Sequence, residues 1–165
     1  MVRHGEEKDI EAIQEIFFDT VHWMKKNHIK QWNYEDLDFL YSKFELKEFF
    51  LCFNSDNKTV GFMILSKKDV NYCWDKLQLE GTIYLYKLTV KRIYAKLGYS
   101  SELLNYAITY AVKNQSNWLC LCCLKSKKKQ RALYESHGFN KIFEQINPLD
   151  SEISLFYTYA IEKTN

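Results

Sequence analysis

Apolar residues recur every three or four positions through Ile10, Ile13, Phe17, Val21 and Met24, with Glu11, Glu15, Lys25 and Lys26 falling mostly elsewhere. That spacing predicts an amphipathic helix running to about Asn27. Gly5 to Asp9 supply turn and acidic residues for its start, and Val2-Arg3-His4 is short enough for an edge strand. A second, less regular helix is expected over Asp36 to Phe44. The aromatic run Phe49 to Phe53, the polar Asn54 to Lys58 and the apolar Val60 to Leu65 read as a β-hairpin. Lys67 to Gly81 has no clean period and reads as a long connection.

Thr82 to Val90 is rich in β-branched and aromatic residues and suits a strand near the centre of a sheet. A polar bend with Gly98 follows, then the most regular helix, whose stripe Leu103, Leu104, Ala107, Ile108, Ala111 and Val112 would pack on a sheet. Trp118 to Leu124 is nearly all apolar, as expected of a strand buried on both faces. Strand, helix and strand in that order imply a parallel pair. A short basic helix, Lys128 to Ser136, leads to Gly138 as a C-terminal cap. Asn140 to Gln145 and Ile153 to Ile161 then read as two strands around the turn Asn147 to Ser151.

Composition narrows the class. A chain of 165 residues, 47% hydrophobic and 27% charged, can bury one core and remain soluble. A formal net charge of +2 does not imply nucleic-acid or membrane affinity, and no stretch reaches the length of a membrane span. With Arg3, His4, Glu6 and Glu7 against a signal peptide, a cytoplasmic protein is expected. Five cysteines, three of them crowded at Cys120, Cys122 and Cys123, are poor geometry for disulfides. The histidines stand apart from them, and no metal site is expected.

The candidate chemistry lies where a strand passes a glycine into a helix. A helix's first turn carries unpaired N–H groups and the positive end of its dipole, which suits a diphosphate. Gly98 would let the backbone approach closely, Lys96 adds positive charge, and Ser100 or Ser101 could offer a hydroxyl or cap the helix. An ordinary strand-to-helix turn is the competing reading of this segment alone.

Leu88-Thr89-Val90, the spacing from Val90 to Gly98, and Leu103-Leu104 resemble the core motif of the GNAT acetyltransferase superfamily. Its pattern is Arg or Gln, two variable residues, Gly, one variable residue, then Gly or Ala. Here Ala95 and Ser100 occupy the first and last positions, and the middle glycine, Gly98, is kept. Ala132 to Phe139 is similar to a second family element, which precedes the last two strands. The resemblance covers essentially the whole chain. It implies an α+β (three-layer α/β) fold, with a mixed central sheet of about seven strands flanked by about four helices, in a single domain over residues 1–165.

The resemblance also implies roles. Acetyl-CoA would be the acetyl donor and a primary amine of a small molecule or peptide the acceptor, with direct transfer between them. Backbone groups of Leu88, Thr89 and Val90 would pair with the pantetheine arm as an added strand. Main-chain amides across Leu97, Gly98, Tyr99, Ser100 and Ser101 would hold the diphosphate, with help from Lys96. Lys127 stands where the family often has asparagine near the pantetheine. Tyr134 matches the tyrosine that faces the coenzyme sulfur and would protonate the thiolate. The strand before the loop has no carboxylate, Glu80 could act only through water, and the base stays unassigned. A catalytically weak acyl-CoA-binding module or sensor is the alternative, and exposed terminal strands leave room for a homodimer.

Overall fold

Eleven regular elements follow in order in the computed structural model, which describes residues 1–29, 31–70, 74–148 and 151–162. They are β1 (Val2–His4), α1 (Ile10–Lys26), α2 (Asp36–Lys43), β2 (Phe49–Phe53), β3 (Thr59–Ser66), β4 (Thr82–Val90), α3 (Tyr99–Lys113), β5 (Trp118–Leu124), α4 (Lys128–Ser136), β6 (Asn140–Ile146) and β7 (Ile153–Ala160). The strands form one sheet in the order β1-β2-β3-β4-β5-β7-β6. The sheet is mixed: β4–β5 is parallel, while β1–β2, β2–β3, β5–β7 and β6–β7 are antiparallel. The chain divides into two compact units, residues 1–66 with 86–103, and residues 67–85 with 104–165.

In the first unit β1, β2 and β3 are antiparallel, with Phe50 opposite His4 on one side and Met63 on the other. Ile13, Ile16, Phe17 and Val21 of α1 are fully buried, each contributing about 1.5–3 kcal/mol of apolar transfer. Ile10, read as part of that stripe, is 40% exposed because it sits at the helix start, while Ile16, which the stripe did not include, is fully buried. Arg3 donates to both oxygens of the buried Asp9 carboxylate at 2.6 and 2.9 Å, tying β1 to the turn that opens α1. The hydroxyls of Thr20 and Thr89 meet at 2.6 Å, which pins α1 to β4.

In the second unit β4 and β5 pair in parallel from Thr82–Trp118 to Tyr84–Cys120, the arrangement a strand-helix-strand order demands. β5 then pairs antiparallel with β7 along its whole length. Alternation along these strands separates two faces. Tyr84, Cys120, Cys122 and Phe156 share one, while Leu121, Cys123, Leu155 and Tyr157 share the other. Two sequence expectations need correction here. Cys122 is exposed, so β5 is not covered on both faces throughout, and Val112 is 48% exposed because the stripe of α3 rotates out of the core near its end. The connection after β3 contains a short 3-10 turn, Asp75–Leu77, and the buried ring of Trp74.

Candidate active site

The loop expected to hold the donor lies in the first unit. β4 is buried through Leu85, half-buried at Tyr86, Lys87 and Leu88, and buried again at Thr89 and Val90. Lys87 has φ of 53°, a left-handed residue inside a strand, which turns the chain locally and marks an irregularity that no propensity argument reveals. Its ammonium lies 4.3 Å from the centre of the Trp32 ring. The Thr89 hydroxyl is engaged with Thr20, which leaves only its main chain for any ligand. After Val90, Lys91 N–H donates to Val60 O at 2.8 Å and its ammonium pairs with Glu15 at 2.6 Å. Arg92 N–H donates to Asp19, and the Arg92 guanidinium covers the ring of Trp23.

A short 3-10 turn, Arg92–Tyr94, then leads through Ala95 to Lys96 and Gly98, with φ of 66° and 88°. Gly98 O accepts from Glu102 N at 3.0 Å, so Gly98 holds the cap position and α3 starts at Tyr99. Ser100 and Ser101 therefore lie inside the first turn and do not cap it. The amides of Tyr99, Ser100 and Ser101 stand outside the helical ladder, facing the positive end of the dipole. A Cβ built on Gly98 would meet no atom within 4 Å. Glycine is required here by its φ, and the space beside it is open to a ligand. Lys96 and Leu97 are exposed, and Tyr94 meets Tyr99 edge-on at 6.2 Å across the loop. These are features that fit a diphosphate.

Tyr134 and Lys127 belong to the second unit. α4 ends in a Schellman cap: Phe139 N–H donates to Tyr134 O at 3.1 Å and Gly138 N–H to Glu135 O at 3.1 Å, with Gly138 at φ of 86°. The Gly-Phe pair of the sequence element thus locks the turn that carries Tyr134, and the Phe139 and Tyr134 rings lie 6.1 Å apart. Tyr134 is 2% exposed and packs on Tyr157, which donates to Glu135 at 2.8 Å. Gln130 donates to the Tyr134 hydroxyl oxygen at 3.0 Å. Burial pushes the Tyr134 phenol well above the ordinary tyrosine range, nearby Cys123 adds to this, and Gln130 opposes it. The phenol is neutral, and its oxygen accepts from Gln130.

Lys127 precedes α4 and is half-buried, and burial pulls its ammonium below the ordinary lysine range against an opposing effect of Glu152. Lys128 and Lys129 are exposed, and Lys125 pairs with Glu144 at 3.1 Å, so the basic run is partly neutralised. Burial pushes the thiols of Cys120 and Cys123 up to about 12, which keeps both protonated and unreactive. Glu80 is exposed on a groove of about 540 Å³ lined also by Gln78, Asn117, Trp118 and Ile161. That groove contains none of the predicted donor residues. Among the described residues no cluster of three His, Cys, Asp or Glu side chains could hold a metal ion, and no helix is long and apolar enough to cross a membrane.

Gln130 escaped the sequence reading, although its position four residues before Tyr134 on a helix was a usable signal. Two tryptophans are taken up in packing: Trp32 stacks on Phe17 at 5.4 Å, and Trp74 is buried against Tyr84 and Phe156.

Residues 11–139 match the model of the Acetyltransferase (GNAT) family. No curated protein sequence matches the chain. Solved structures share its fold. A GNAT-family acetyltransferase from Listeria monocytogenes 4b F2365 is 20% identical with a TM-score of 0.78, covering 97% of this chain and 94% of that one. The ribosomal-protein-S18-alanine N-acetyltransferase from Escherichia coli is 19% identical with a TM-score of 0.72, covering 100% and 96%. A GNAT-family acetyltransferase from Bacillus cereus ATCC 10987 is 14% identical with a TM-score of 0.74, covering 99% and 98%. This chain belongs to the GNAT acetyltransferase family.

Proposed function

We propose that this protein transfers the acetyl group of acetyl-CoA directly to a primary amine of a small molecule or peptide. The observation that carries the reading is Tyr134, a buried neutral phenol fixed by a helix cap, whose oxygen accepts from Gln130 and whose proton is left to donate. A thiolate leaving a thioester needs such a donor, and a positioned general acid contributes about 10²–10⁴-fold in rate.

In this reading the first-turn amides of α3, from Tyr99 to Ser101, together with Leu97 and Gly98, hold the diphosphate, and Lys96 adds charge. Leu88, Thr89 and Val90 offer main-chain groups to the pantetheine arm. Lys127 contributes a partly desolvated cation, which acts more strongly on a phosphate than a solvated one. The enol-free chemistry of acyl transfer asks only for a neutral amine, a polarised carbonyl and a protonated sulfur, and it needs no covalent enzyme intermediate.

The experiment is release of coenzyme A thiol from acetyl-CoA against polyamines, aminoglycosides, amino acids and peptides, with calorimetry of acetyl-CoA alongside. Amine-dependent thiol release supports the enzyme. Binding without release on every acceptor favours an acyl-CoA-binding module, a reading that Ala95 at the family's Arg or Gln position keeps in view.

A further inference from the structure

Lys127, Arg131 and Tyr134 are spaced by four and three residues, which puts them on one face of α4. Burial follows that face: Lys127 and Arg131 are half-buried and Tyr134 is buried, while Lys128, Lys129, Ala132 and Glu135 are exposed. Burial raises the Cys123 thiol and the Tyr157 phenol, and the positive charge of Arg131 opposes both effects. Its guanidinium therefore lies toward the sheet face of Cys123 and Tyr157, the face on which Tyr134 packs. All of these residues belong to the second unit. At a rise of about 1.5 Å per residue, Arg131 stands about 4.5 Å and Lys127 about 10 Å from Tyr134 along the helix axis.

Neither cation has a counter-charge among the described residues. Nε of Arg131 is buried without a hydrogen-bond partner, whereas its two terminal nitrogens reach the surface and have no protein acceptor. Glu135, four residues on and placed to pair with it, accepts from the Tyr157 hydroxyl at 2.8 Å instead. Burial lowers the Lys127 ammonium, and Glu152 opposes this from a distance without forming an ion pair. Lys125 is already paired with Glu144, and the first turn of α4 has no acidic residue. Like charges four residues apart on a helix repel, and a half-buried cation without a partner keeps its desolvation cost. An anion that meets both heads offsets the two penalties, and the stems of the pair start only about 5–6 Å apart. A phosphate group suits them: the guanidinium fork offers parallel N–H donors to two of its oxygens, and the ammonium takes another.

We propose that Lys127 and Arg131 form a phosphate-binding site on the inner face of α4. The site itself needs only the two cations. Its use for coenzyme A rests on the acetyltransferase reading above, in which the bound group is the diphosphate or the ribose phosphate of the donor. Arg131 binds, and it takes no part in proton transfer.

Pyrophosphate is the probe, titrated by calorimetry into the full chain at low ionic strength in phosphate-free buffer, with thermal melts on the same samples. Saturable binding that raises the wild-type Tm is expected. Arg131→Met keeps an apolar stem and removes the fork. It should weaken binding about tenfold or more, and without ligand it should melt no lower than wild type, because an unpaired cation is gone. Arg131→Lys, which keeps the charge, should fall between the two. No binding to the wild type, or equal affinity in the wild type and both variants, overturns the proposal. Acetyl-CoA and acetyl-dephospho-CoA, which lacks the ribose phosphate, then separate the two sources. A loss in Arg131→Met for both thioesters assigns the diphosphate, a loss for acetyl-CoA alone assigns the ribose phosphate, and a loss for neither overturns the use of the site for the coenzyme. Pyrophosphate binding that depends on Arg131, without any binding of acetyl-CoA, would keep the site and remove the acetyltransferase reading instead.

Discussion

Between Leu88 and Ser101 the chain offers a ligand mainly its backbone, because Thr89's hydroxyl is engaged with Thr20, Lys91 with Glu15, and Arg92 with Trp23 and Asp19. On α4 the groups on offer are side chains instead, a Gln130–Tyr134 hydrogen bond and a Tyr157–Glu135 hydrogen bond whose two tyrosine rings pack together. The difference explains how the sequence departs from its family's patterns. Amides exist whatever the side chain, so a loop that binds through them would tolerate Ala95 and Ser100 as long as Gly98 keeps its positive φ. A phenol and its cap have no substitutes, and Ala132 to Phe139 stays close to the family element.

The comparison can be broken most directly on α4. Tyr134→Phe should reduce kcat by about 100-fold or more while acetyl-CoA binds as before. Calorimetry and a thiol-release assay on the same sample read the two quantities. Gly98→Ala should act in the opposite sense: no atom lies close enough for a clash, but the left-handed φ costs about 1 kcal/mol and re-aims the amides. A loss of about tenfold in acetyl-CoA affinity is expected, with kcat at saturation little changed.

Gln130→Ala should cost about five- to tenfold in kcat, the worth of one hydrogen bond to a developing phenolate, and the loss should vanish in a Tyr134→Phe background. A loss that persists there would assign Gln130 to packing. The smallest effect is expected at Lys127. Replacing Lys127 and Lys128 with alanine should weaken acetyl-CoA binding about threefold at low salt and reduce its salt dependence. Because burial lowers the Lys127 pKa, its cation is present below that value and lost as pH rises through it. Wild-type affinity should therefore fall at a lower pH than a solvated lysine would give, and the double alanine variant should lack that limb.

Much of the fold was legible because the periodic segments were long: α1, β4, α3 and β5 all lie where their hydrophobic spacing put them. Edges were lost where burial departs from pattern. Ile10 and Val112 sit at helix ends and turn to solvent, and Cys122 faces outward from an otherwise apolar strand. At the site, Gly98 and Tyr134 could be named because one needs a special φ and the other a recognisable cap. The left-handed Lys87 inside β4 could not, since lysine carries no preference for that conformation. The connection after β3 gave no signal either: it is aperiodic, and part of it (Asn71, Tyr72 and Cys73) is outside the described residues.

The division between a backbone donor site and a side-chain acid is tested best by one matched set: wild type, Gly98→Ala, Tyr134→Phe and the double variant. Each would be measured for acetyl-CoA affinity by calorimetry and for single-turnover thiol release with a confirmed amine. The predicted result is that Gly98→Ala lowers affinity alone, Tyr134→Phe lowers the rate alone, and the double variant shows the product of the two. A Tyr134→Phe protein that releases thiol at the wild-type rate, or one that loses affinity as Gly98→Ala does, would contradict it.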